Sequence, residues 1–217
     1  MVDIYCDTGD LEVIRKFAWD DRISGFTTNP SLMKKSGITR YMDFAHQAVS
    51  LCLDKPISLE VLADDFETME DQARKLGSLW SGVFVKIPIT NTSGESTKPL
   101  IERLSSLKLN ITAVMTKEQI ADILPVCKSH HIISVFNGRI TDTQELPLTP
   151  QNVKGPRFLW ASARHVGSVR EASFAGYDII TLTPELIAKL PFAGKNLKDY
   201  SLETVRQFYE DGKGIEF

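Results

Sequence analysis

Eight short apolar segments recur along the whole chain, and amphipathic stretches separate most of them. The segments are "DIYCDT", "ISGFTT", "ISLEVLA", "VFVKIPI", "LNITAVM", "IISVFNG", "RFLWASA" and "YDIITLT". Residues 39–53, 65–80, 117–129 and 166–175 lie between them and carry apolar side chains at helical spacing. Strand and helix therefore alternate. Eight strands in 217 residues predict one closed parallel (β/α)8 TIM barrel, a single domain over residues 1–217, and not an open doubly wound sheet. No glycine-rich fingerprint follows the first strand, which also disfavours the open sheet.

Local chemistry supports the helix starts. Thr116 with Gln119 fits a capping box, and Thr183, Pro184 and Glu185 fit an N-cap followed by proline and an acid. One crossover is different. The run "ITDTQELPLTPQNVKGPR", residues 140–157, holds three prolines and a glycine, so it predicts a sixth helix that is short or missing. Residues 201–209 read as a final amphipathic helix.

Net charge of -3, with lysines and arginines scattered among acids, gives no surface for a polyanion, so nucleic acid is not an expected partner. The first residues, "MVDIYCDTGD", carry acids where a secretory signal would be basic and then apolar. No run approaches the eighteen or so apolar residues of a membrane span, so a cytoplasmic protein without membrane association is expected. Cys6, Cys52 and Cys127 are widely spaced with no CxxC, which suggests neither a disulfide framework nor a zinc site. His46, His130, His131 and His165 fall in or beside predicted helices, where solvated faces are expected instead of metal ligands.

Lys86 sits in the middle of "VFVKIPIT", a run that otherwise reads as a buried strand. A lysine there can lie along the strand with its head in water. Alternatively it is desolvated and becomes a neutral amine able to attack a carbonyl and form a Schiff base. Glu60 in "SLEVLA" poses the same problem with opposite sign, and on an adjacent strand the two can justify each other. In such a barrel, chemistry gathers at the C-terminal strand ends. The polar residues there are Asp7, Thr28, Asn29, Glu60, Lys86, Asn110, Thr112, Ser134, Ser162 and Arg164. Singly, Asp7 can be a helix cap, Asn29 before Pro30 a turn, and Thr112 an ordinary strand residue. A lysine, two carboxylates and several hydroxyls and amides together are what Schiff-base aldol chemistry needs, since imine formation requires proton transfer and loss of water.

The motifs "CDTGD", "GFTTNPSL", "SLEV", "VKIP", "NIT", "SVFNGRI" and "ASAR", in that order and over essentially the whole chain, resemble those of the transaldolases. The length resembles the small single-barrel branch that includes the fructose-6-phosphate aldolases. The resemblance implies an enzyme without cofactor or metal that moves a dihydroxyacetone unit from a ketose phosphate, such as sedoheptulose 7-phosphate or fructose 6-phosphate, to an aldose phosphate. It implies Lys86 as the Schiff-base lysine, Asp7 as acid/base at the donor's C4 hydroxyl, and Glu60 and Thr112 as holders of a water. Asn29, Asn110 and Ser134, with Thr28 and Phe136 nearby, would contact the dihydroxyacetone part. Arg139, Ser162 and Arg164 would bind the phosphate, which suits a guanidinium fork. It further implies a homo-oligomer, such as a decamer-like ring in which the C-terminal helix packs on a neighbour.

Two features depart from the family pattern: Val135 stands where a proline is usual, with Asn137 after Phe136, and the sixth crossover is short. Glu60 and Phe136 favour transfer, because the aldolases of the family carry glutamine and tyrosine there. A dihydroxyacetone-releasing aldolase, a relative recruited to another sugar, and an inactive scaffold barrel are the alternatives.

Overall fold

The eight strands are β1 (Asp3–Asp7), β2 (Gly25–Thr27), β3 (Ile57–Glu60), β4 (Val83–Pro88), β5 (Leu109–Val114), β6 (Ile132–Val135), β7 (Arg157–Trp160) and β8 (Ile179–Leu182). In the computed structural model, which describes residues 2–150, 153–192 and 194–216, they close in sequence order into one parallel barrel. The helices are α1 (Leu11–Ala18), α2 (Pro30–Lys35), α3 (Tyr41–Leu51), α4 (Phe66–Gly77) and α5 (Lys98–Arg103), then α6 (Lys117–Ile123), α7 (Asn137–Asp142), α8 (Ser168–Ala175), α9 (Pro184–Ile187) and α10 (Leu197–Asp211). The expected (β/α)8 barrel is therefore the fold.

Side chains alternate across each strand, and this places the chemistry. Along β4, Val83, Val85 and Ile87 pack outward in the main core beneath the helices, whereas Phe84 belongs to a second, smaller cluster with Tyr5, Ile132, Leu159, Ala161 and Ile179. That cluster plugs the inside of the barrel. Gly25 is required beside it, because a Cβ there would lie 2.6 Å from the Tyr5 ring. The same alternation puts Lys86, two residues past Phe84, on the inner face nearer the strand's C-terminal end.

Several helix boundaries follow local chemistry. Thr116 and Gln119 form the full capping box, Asp10 and Asp65 cap α1 and α4, and Asn29 caps α2 by accepting the Leu32 N–H at 3.0 Å. Thr183 precedes Pro184 at the start of α9, but its side chain makes no capping bond to the backbone.

Among its described residues the sixth crossover carries only the six-residue α7 and then irregular chain, in keeping with its prolines. Residues 151 and 152 of that crossover lie outside the described residues, as do Met1, Ala193 and Phe217. α10 begins four residues before the expected 201, and none of its side chains is buried among the described residues. No helix among the described residues is long and apolar enough to cross a membrane. One histidine expectation is corrected: His131 is fully buried instead of sitting on a solvated helix face, since it stands immediately before β6 and its carbonyl accepts the Arg157 N–H at the start of β7.

Candidate active site

A cavity of about 440 Å³ opens at the C-terminal end of the barrel, within the range of small-molecule sites. Asp7, Asn29, Glu60, Lys86, Thr112, Ser134, Phe136, Arg139 and Ser162 all line it. Nine of the twelve residues expected from the sequence are thus brought together.

Lys86 is 5% exposed. Its Nζ pairs with Glu60 Oε2 at 2.8 Å and donates to the Thr28 carbonyl at 2.7 Å. The register makes this pair unavoidable, since Glu60 and Lys86 are direct neighbours across β3 and β4. A buried ammonium needs such a partner.

Asp7 lies on β1 at the cavity wall, and its Oδ1 accepts the Thr27 hydroxyl at 2.7 Å. Burial pushes its carboxyl above the usual carboxylate range, while Lys86 and the Thr27 hydrogen bond pull it down without reversing the effect. The Thr27 proton is committed to Asp7, so the short contact between Thr27 and Thr181 takes its proton from Thr181. A carboxyl with raised proton affinity therefore lines the same cavity as the lysine.

Thr112 is 2% exposed and its Oγ1 has no hydrogen-bond partner among the described residues. A buried hydroxyl on a cavity wall is suited to bind substrate or water. Next to it Ala113 adopts φ 61°, where β5 slips register against β6 between Ile111 and Val114. Ser162 also has φ 61°. Neither is glycine, and each left-handed residue costs about 1 kcal/mol. Gly138 explains how Ser162 is held, because it lies so close that a Cβ there would fall 1.5 Å from the Ser162 carbonyl oxygen.

The other three expected residues do not line the cavity among the described residues. Thr28 turns its hydroxyl away to the Ser58 carbonyl, and it is Thr27 that faces inward. Asn110 lies beneath the floor, donating to Ser58 Oγ at 3.0 Å and accepting from Ser134 Oγ at 2.7 Å, so it orients Ser134 from below. Arg164 is exposed, with its Nε 3.1 Å from Asp142 Oδ1 in an ion pair. Arg139 does reach the cavity, with its guanidinium 5.9 Å from the centre of the Phe136 ring. Thr27 and Thr181 were missed; both are polar residues inside apolar strands, a signal the sequence offers.

Residues 4–217 match the sequence profile of the family described as transaldolase/fructose-6-phosphate aldolase. The chain belongs to that family. A probable transaldolase of Hyphomonas neptunium is 33% identical over 225 residues, covering 98% of each chain. One from Carboxydothermus hydrogenoformans is 30% identical over 224 residues, covering 99% of this chain and all of the relative. One from Methanococcus maripaludis is 32% identical over 197 residues, covering 86% of this chain and 88% of the relative. Membership supports a transaldolase-type enzyme.

Proposed function

We propose that this chain transfers a dihydroxyacetone unit between sugar phosphates in the cytoplasm through an imine on Lys86. The carrying observation is a buried lysine paired with Glu60 and facing Asp7 inside one cavity of a family member. Lys86 Nζ adds to the donor's C2 carbonyl, and a water leaves once the carbinolamine oxygen is protonated. Glu60 and the free Thr112 hydroxyl are the groups placed to handle that water. Asp7 takes the proton of the C4 hydroxyl, the C3–C4 bond breaks, and an aldose leaves. The electron pair stays on the enamine. An incoming aldose phosphate then accepts it, and the reverse steps release a new ketose. Arg139 and Ser162 hold the substrate phosphate, with Arg164 joining when it leaves Asp142.

Phe136 supports transfer over release. Its ring packs partly on the plug inside the barrel and offers no proton to the enamine, so protonation by the protein is disfavoured there. The test is borohydride trapping with fructose 6-phosphate, read by peptide mapping and paired with product analysis. Label on the peptide holding Lys86, lost in Lys86→Ala, and transfer to erythrose 4-phosphate faster than release of dihydroxyacetone are expected. Label on another lysine overturns the imine assignment. Faster release replaces the transferase reading with an aldolase.

A further inference from the structure

The phosphate side of the cavity is carried by a helix too short to hold itself. α7 has six residues and no side-chain cap from Phe136, while isolated helices shorter than about 12 residues are marginal in water. Yet three groups depend on it. Arg139 reaches into the cavity from its third position, Gly138 lies against the Ser162 main chain, and Asp142 at its end grips Arg164. If α7 shifts, Arg139 moves with it and Ser162 and Arg164 lose the contacts that place them.

Contacts outside the helix have to fix it, and its first residue makes them. Asn137 is fully buried. Its Nδ2 donates to the Tyr177 hydroxyl at 2.7 Å, and its Oδ1 accepts the Leu148 N–H at 2.9 Å. The Tyr177 hydroxyl in turn donates to the Leu148 carbonyl at 2.9 Å. These bonds close a ring that ties α7 to the irregular crossover and to the turn before β8. Each polar atom in it has a partner in a low-dielectric setting, where a connected polar network rigidifies what it joins. The Tyr177 ring is itself held edge-on to Trp160, with centroids 5.3 Å apart.

We propose that Asn137, with Tyr177 and the Leu148 main chain, is the positioning element that fixes α7 and thereby sets the enzyme's preference for phosphorylated substrates. The proposal rests on the reading of Arg139, Ser162 and Arg164 as phosphate ligands. Neither Asn137 nor Tyr177 lines the cavity among the described residues. Lys86 and Asp7 stand on β4 and β1, away from α7, so imine chemistry does not need the ring. Loosening α7 lowers the fraction of molecules with Arg139 in place, and apparent affinity for the phosphate falls by that fraction.

Tyr177→Phe tests this with one atom, since it removes the hydroxyl and leaves the ring packed on Trp160. Asn137→Ala is the second variant. Steady-state kinetics with fructose 6-phosphate and with unphosphorylated fructose as donors, beside Arg139→Ala, give the readout. Tyr177→Phe should raise KM for the phosphorylated donor about tenfold with kcat within about twofold, and leave kcat/KM for the unphosphorylated donor within about twofold. The Tyr177→Phe/Arg139→Ala double variant should be no worse on the phosphorylated donor than Arg139→Ala alone. Equal losses on both donors, no loss on either, or additive losses in the double variant each overturn the positioning role. If Arg139→Ala does not itself weaken the phosphorylated donor more than the other, the phosphate reading falls and takes this inference with it. That outcome differs from a selective Arg139→Ala beside an unselective Tyr177→Phe, which overturns the positioning role alone.

Discussion

Protonation of His131 should make this fold lose stability between neutral pH and about pH 4, by an amount its surroundings define. The imidazole is 0% exposed, and its Nδ1 accepts the Lys128 N–H at 3.1 Å, which assigns the neutral ring's proton to Nε2. A second proton would have to go on Nδ1, facing that same N–H, and would turn an acceptor into a donor. Burial pushes the group down from the ordinary 6.5 to about 4; His130 and Lys128 add to this, and the Ser105 and Leu107 carbonyls oppose it. The unfolded chain then binds a proton in this interval that the folded chain refuses, so stability is fully present above about pH 6.5 and drains away as the pH falls. At about 1.4 kcal/mol per decade of proton affinity, the loss is on the order of 3 kcal/mol, a large part of a domain's usual 5–15 kcal/mol. Urea unfolding at fixed protein concentration, followed by tryptophan fluorescence at pH 4 to 8, measures it against His131→Asn. The asparagine keeps an acceptor near the Nδ1 position but cannot titrate. It should be less stable at pH 7.5, from lost packing, while its curve falls less steeply on the acid side because only the other groups still titrate. Parallel curves for the two proteins would refute the reasoning, since they would mean that His131 takes up its proton equally well folded and unfolded.

Asp7→Asn should lower kcat by about 10² while still allowing borohydride to trap the imine on Lys86, because an amide cannot take the C4 hydroxyl proton. Burial raises the Asp7 carboxyl, so the acid limb of kcat/KM in the unmodified enzyme should lie above the ordinary aspartate value of 3.8, and an unchanged limb in Asp7→Asn would assign it elsewhere. Leu202, Val205, Phe208 and Tyr209 form an exposed apolar stripe on α10, at 48%, 60%, 68% and 69% exposure, which predicts self-association through that helix. Light scattering should give a multiple of 24.3 kDa that drops when the chain is cut before Leu197, and the mass of one chain for the intact protein would refute it.

The strands and the closed barrel were legible because β-branched and aromatic runs broken by helical spacing leave few other solutions for the chain. Lys86 and Glu60 were legible for a different reason: a charge inside an apolar strand is costly enough to need an explanation. The choice between adjacent residues was harder. Thr27 and Thr28 are identical in type, and only the inward phase of β2, fixed by Gly25 against Tyr5, decides that Thr27 meets Asp7. Thr181 was visible as the polar residue of "IITL", yet its partner lies 154 residues away, and nothing local joins them. Arg164 could be placed at the end of β7, but not beside Asp142, since that pairing depends on how a six-residue helix is held. His131 flanks β6 as its place before the isoleucines suggests, but its burial depends on how the chain turns back from Lys128, which no local pattern shows.

The closure of β1 on β8 also fixes when the site comes into being. Each other strand pairs with a neighbour made just before it, whereas β1 gains β2 early and its second neighbour only when the last strand is synthesised. Until then Tyr5 and Asp7 sit on an open edge, with Lys86 and Glu60 already paired. A nascent chain that has emerged only through β7 can hold the lysine's ion pair but not the threonine bridge from β8 behind Asp7. Closing a loop of that length is slow relative to the local pairings before it. Catalytic competence should therefore arrive in a single late step, after most of the barrel has formed.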